Sequence, residues 1–229
     1  MRERGLALHP DLVLVGFYIG NDIDGSAARA RFWPEVDREG LPLRVVHREM
    51  HVEDNRWVKN ERSLRYRIPV LKNSHLAQLL YDAGKRVVKS SKPLKKQLKK
   101  YRIYETVYEQ KTEENVERVK KLFIGMARLA RAHDIAFAAV MIPTREQVYP
   151  QRYQDIVDID LEKPQRIFSE FFANQGIAVL DLLPIMRAAA GDRPLYYQHD
   201  SHWRSAGQAL AGREISNFLL REGLVPDGS

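Results

Sequence analysis

A chain of 229 residues with 44% hydrophobic and 29% charged residues is long enough to bury one substantial core. It has no cysteine, which excludes disulfides, thiolate catalysis and cysteine-ligated zinc. The net charge of +7 is local, because Lys85–Arg102 carries nine basic and no acidic residues and the remainder sums to −2; the longest apolar runs fall far short of the ~20 residues that cross a bilayer as a helix.

Residues 1–8 read as the last turns of a helix, and Met1-Arg2-Glu3-Arg4 has no secretory-signal pattern. His9-Pro10-Asp11 starts a strand, with proline fixing φ. Leu12–Ile19 (LVLVGFYI) is a continuous apolar run, the pattern of a parallel strand covered on both faces. Asp22 and Thr112 are then separated by far more than the usual connection of ~4–6 residues, so residues 25–111 form an insertion or lid subdomain. Within it, Leu41–Val52 suggests a weak hairpin. Ser74–Lys89 suggests an amphipathic helix that runs into the basic segment.

Thr112 is the expected N-cap of a helix whose apolar face is Val116, Val119, Leu122, Phe123, Met126, Leu129 and Ala130. A strand follows at Ile135–Ile142. Pro164–Gln175 repeats the helix, Gly176 stops it, and Ile177–Leu183 is the third strand. Asp181 reads as the cap of a helix at Pro184. Ser205-Ala206-Gly207-Gln208 has the form of a capping box and opens a last helix. Alternating helices and buried strands predict right-handed crossovers and a three-layer α/β/α sandwich on a parallel sheet, formed by residues 1–24 and 112–229.

Two short motifs carry the chemistry. Asn21 and Asp22, after Gly20, lie just past the carboxyl end of the first strand, where open α/β sheets place ligands. The Asn21 amide there can donate to a developing oxyanion. Gly-Asn-Asp is also ordinary turn chemistry. The second motif is His199-Asp200-Ser201-His202-Trp203. Asp200 can fix the tautomer of His202 and stabilise its imidazolium, while the other ring nitrogen takes a hydroxyl proton. Trp203 is placed to pack beside that ring. A metal site on His199, Asp200 and His202 lacks further ligands, so no metal and no cofactor is expected. Ser201 and Ser26 are poor nucleophiles: one adjoins its base in sequence, the other has no strained turn. The basic run, Lys85, Arg86, Lys89, Lys92, Lys95, Lys96, Lys99 and Lys100, offers contact with an anionic membrane surface or another polyanion. Its aromatic interleaving is sparse, so no nucleic-acid partner is expected.

Together, Gly20-Asn21-Asp22 and Asp200-Ser201-His202-Trp203 resemble the third and fourth blocks of the SGNH (GDSL-like) hydrolases. The second is similar to the Asp-x-His-Trp variant of acyltransferases and esterases acting on acylated polysaccharides. The resemblance implies a flavodoxin-like sandwich and a serine mechanism. His202 would be base and then acid, Asp200 its orienting acid and Asn21 an oxyanion donor, with Gly20, Asp22 and Trp203 lining the pocket. The substrate would be an acyl ester or acylated carbohydrate. The Gly-Asp-Ser and glycine blocks are not in the sequence, Ile19 stands where a glycine leads the third block, and Gln208 follows Gly207 where histidine is common. The expected reading is therefore the C-terminal part of such an enzyme, inactive alone, with its first strands and nucleophile upstream. The family resemblance allows an extracytoplasmic or membrane-attached whole protein. The alternatives are a non-catalytic binding module of the same fold and a peripheral membrane or polyanion-binding protein.

Overall fold

Three parallel strands form the centre of the molecule: β1 (Leu12–Tyr18), β6 (Ala136–Ile142) and β7 (Ala178–Asp181), in the order β1-β6-β7. The computed structural model describes residues 5–23, 32–36, 42–47, 50–53, 56–59, 102–153, 155–191, 194–198 and 201–225. In register, Leu12 faces Ala136, Tyr18 faces Ile142, and Met141 faces Asp181.

Strand alternation sorts the core into two clusters. From β6, Ala139 and Met141 enter one, and Ala138 and Val140 enter the other. The first cluster joins Phe17 of β1 to α1 (Gln110–Arg131) through Val116, Val119 and Phe123, and to α3 (Lys163–Gln175) through Phe168, Phe171 and Phe172. The second joins Leu180 to α4 (Leu182–Ala189) through Leu182, Leu183 and Met186, and to α5 (Ser205–Arg221) through Leu210, Ala211 and Phe218. Helices thus cover both faces, which is the three-layer sandwich read from the sequence. A one-turn helix, α2 (Arg145–Val148), follows β6 directly.

Within residues 102–108, Ile103 and Tyr104, both fully buried, belong to the first cluster, and Tyr108 packs against it. Lys163 fastens this segment: its Nζ donates to the Glu105 and Thr106 carbonyls at 3.1 and 3.0 Å and sits 3.4 Å over the Tyr108 ring.

Several boundaries differ from the sequence reading. The first long helix starts at Gln110, with Glu109 at the N-cap, and Thr112 is buried in its first turn. β7 ends at Asp181, not Leu183, because the Asp181 carboxylate accepts the Leu183 N–H at 2.9 Å and starts α4 at once. The expected capping box at Ser205 does not form. Arg204 is the N-cap, and its own N–H is committed to Leu195 O at 2.8 Å. Residues 6–8 make one 3-10 turn, closed by His9 in the left-handed region at φ 48°; proline at position 10 disfavours the helical region for the residue before it.

Between β1 and α1, two antiparallel hairpins are described, β2 (Phe32–Val36) with β3 (Pro42–His47) and β4 (Met50–Glu53) with β5 (Arg56–Lys59). Leu41–Val52 therefore spans parts of two hairpins whose partner strands lie on either side. Ser74–Lys89 and the basic residues Lys85 to Lys100 lie outside the described residues. No helix among the described residues is long and apolar enough to cross a membrane.

Candidate functional site

Each strand of the parallel sheet ends at the same edge, and the turns that follow build the site. β1 is prolonged by Ile19, whose N–H donates to Ile142 O at 3.1 Å. The chain then folds back on itself. The Asn21 and Asp22 N–H groups donate to Tyr18 O at 3.3 and 3.1 Å, and Asp22 Oδ2 accepts the Tyr18 N–H at 2.8 Å. Ile19 and Ile23, both buried, pin the two ends of this loop and leave Asn21 exposed between them. Asp22 therefore locks the turn, and its carboxyl is pushed up by partial loss of solvent, offset in part by the Tyr18 N–H. Gly20 is needed for close approach: a Cβ there would lie 2.7 Å from the Tyr18 ring and 2.8 Å from Thr144 Cγ2.

Thr144 begins the turn after β6. It is fully buried and caps α2, accepting the Gln147 N–H while Gln147 Oε1 accepts the Thr144 N–H at 2.9 Å. The Tyr104 and Thr144 hydroxyls share a hydrogen bond of 2.8 Å. Gln147 Nε2 reaches the Leu161 carbonyl at 2.7 Å and the Gln165 side chain, and Arg187 Nε donates to Gln147 O at 2.8 Å. Polar bonds thus tie this turn to α3 and α4.

The third piece is the loop before α5. Tyr196 is buried and donates its hydroxyl to Pro143 O at 2.7 Å. Burial raises its phenol well above the usual range. The Leu195 N–H donates to the Tyr149 hydroxyl at 2.9 Å, and the Arg145 guanidinium donates to the Gln198 carbonyl. The loop closes on itself through an antiparallel bridge between Tyr196 and Trp203 and through Tyr197 N–H to His202 O at 3.1 Å. A Cβ on Gly207 would meet Leu195 O at 2.5 Å, so glycine lets the first turn of α5 sit against this loop.

The turn at Pro143–Arg145 therefore touches both predicted motifs. Thr144 packs on Gly20, while Pro143 and Arg145 hold the loop that carries His202. Asn21 and His202 are exposed at this edge. Trp203 packs against the second core cluster, its ring 6.4 Å from that of Tyr196. His199 and Asp200 lie outside the described residues, and among those residues no cluster of three His, Asp or Glu could hold a metal ion. The sequence reading missed Thr144 and Arg145. Their signal was available, since Thr144-x-x-Gln147 is itself a capping-box pattern directly after a strand.

One consequence of the Asp22 lock is testable. Its folded pKa lies above the unfolded value, so protonation favours the fold: the contribution is fully present below the unfolded pKa of about 3.8 and is lost as pH rises through the folded pKa. Asp22→Asn keeps an acceptor for the Tyr18 N–H without the charge. It is expected to leave thermal stability equal or raised at pH 7 and to lose that advantage near pH 3. Asp22→Ala, which removes the acceptor, is expected to lower stability at both pH values. Melting curves of the three proteins at pH 3 and pH 7 check this.

No curated protein and no solved structure matches the chain. A family profile does: the SGNH hydrolase-like domain of acetyltransferase AlgX covers residues 101–227, more than half of the sequence and including the turn after β6 and the His202 loop. With the parallel sheet and its two helical layers, the chain belongs to this SGNH hydrolase-like family, whose domains are of the acyltransferase or esterase type.

Proposed function

We propose that the chain supplies the base and the oxyanion side of a serine ester hydrolase or O-acyltransferase that acts on an acylated carbohydrate or a small ester. The single observation that carries this reading is the shared support of both motifs by Pro143–Arg145 at the carboxyl edge of the sheet. In this reading a serine from outside residues 1–229 attacks the acyl carbonyl and its proton passes to His202, which Asp200 orients. The carbonyl oxygen becomes an oxyanion, and the Asn21 amide donates to it. Collapse expels the alcohol, which takes the proton back from His202. Water or a carbohydrate hydroxyl then attacks the acyl-enzyme, with His202 again the base, and releases the free acid or the new ester.

The edge of the sheet is consistent with a nucleophile supplied from elsewhere. β1 pairs with β6, and its other edge has no strand partner among the described residues. A parallel strand added there would run ~4.8 Å away and end beside Asn21. The experiment uses the full-length protein that contains this chain. A fluorophosphonate probe is expected to label one serine outside these 229 residues, and peptide mapping identifies it. The same protein is expected to hydrolyse p-nitrophenyl acetate. Labelling of Ser201 or Ser26, or neither labelling nor turnover, overturns the proposal.

A further inference from the structure

We infer that Tyr197 is a substrate-stacking residue: the platform on which one pyranose ring of an acylated carbohydrate lies while its ester faces His202. The inference rests on the reading of His202 as the base and adds a binding subsite to it.

The register of the loop carries the argument. The Tyr196–Trp203 bridge is fixed by Arg204 N–H to Leu195 O at 2.8 Å and by Tyr197 N–H to His202 O at 3.1 Å. Tyr197 is therefore directly opposite His202. In an antiparallel pair, directly opposed side chains share a face, with Cβ atoms ~5 Å apart. Alternation then divides the four residues. Tyr196 and Trp203 face the core, where Tyr196 is 3% exposed. Tyr197 and His202 face outward, where Tyr197 is 51% exposed. A ligand that approaches His202 along this face of the loop meets the Tyr197 ring.

Isolated exposed aromatics are common on protein surfaces and need no explanation alone. This ring differs in its anchoring: its backbone is fixed and one cation stands over a single face. Its backbone is hydrogen-bonded across the loop, and the Arg204 guanidinium stands 5.9 Å from its centroid. A held ring with two side-chain torsions loses little entropy when a ligand packs on it. The C–H face of a pyranose offers the flat apolar surface that such a ring binds by dispersion, while the sugar hydroxyls stay in water. A small acetyl ester has no such face and gains nothing from the ring.

The test separates the platform from the chemistry. In a full-length His202→Ala background, calorimetry measures binding of partly O-acetylated neutral-hexose, pentose and uronate oligosaccharides. Adding Tyr197→Ala is expected to weaken the tightest of these at least tenfold, and Tyr197→Phe to change it less than twofold. With His202 intact, Tyr197→Ala is expected to raise KM for the same oligosaccharide at least tenfold, while kcat/KM for ethyl acetate, an ester with no flat face, followed by acid release in a pH-stat, stays within twofold. An equal loss on both substrates would make Tyr197 a support of the loop and overturn the inference, as would no oligosaccharide bound or no change in binding. A binding contrast in a protein that turns over no ester at all would instead overturn the role of His202 and leave the platform standing.

Discussion

His202→Ala in the full-length protein is expected to lower kcat for an acetyl ester by roughly 10⁴–10⁶-fold, with KM nearly unchanged. The direction follows from the proposed role: without the imidazole, the serine hydroxyl has no acceptor for its proton in the transition state, whereas ground-state binding loses little. The His202 side chain is exposed, so its removal opens no cavity. Circular dichroism and the melting temperature should match those of the wild type. Asn21→Ala is the milder companion. One lost oxyanion donor costs about 10²–10³ in kcat, and Asn21 is exposed as well. Steady-state rates on p-nitrophenyl acetate measure both. A His202→Ala protein retaining more than a tenth of wild-type activity would remove His202 from the mechanism.

Phe172→Ala is expected to have the largest effect on stability, about 3–5 kcal/mol. Phe172 is fully buried, with ring centroids at 4.8 Å from Phe123, 5.2 Å from Phe171 and 6.1 Å from Phe168. Phe17 joins the same stack at 4.7 Å from Phe168 and 5.4 Å from Phe123, so β1, α1 and α3 meet through these rings. The cavity left by the Phe172 ring cannot close without moving its neighbours, and its edge-to-face contact with Phe123 and tilted contacts with Phe168 and Phe171 are lost together. For a domain of this size the melting temperature should fall by roughly 10 °C. Leu220→Ala on α5, 41% exposed, is the control and should stay within about 0.5 kcal/mol. Similar shifts for the two variants would mean that the aromatic cluster is not where the fold is held.

The layered architecture was legible because its signal is physical and local. A strand covered on both faces must be apolar without interruption, and LVLVGF and AFAAVMI are. Val116, Val119 and Phe123 recur at helical spacing, and a left-handed C-cap at φ 60° requires a residue such as Gly176. Cap positions were less legible. Ser205 lost its role because Arg204 N–H pairs with Leu195 O, a contact about nine residues back that no local pattern reveals. The two candidate motifs were legible, and the turn that joins them was not. Thr144 and Arg145 gain meaning only when Gly20 and Gln198 are brought to them from positions over fifty residues distant. Tyr197 was hidden for the same reason. It faces His202 across a bridge, and a linear sequence gives no weight to that pairing.

If the proposed function holds, the shared turn at Pro143–Arg145 also sets how the protein can change. A mutation that shifts Thr144 displaces both the Gly20 turn and the His202 loop, so improvements at one tend to damage the other, and this rim is expected to tolerate few substitutions in a deep mutational scan. New substrate preferences are then easier to reach from residues that contact only one of the two, Tyr197 first among them. A directed-evolution library restricted to such positions should yield more altered-specificity clones, per folded variant, than one that includes positions 143–147.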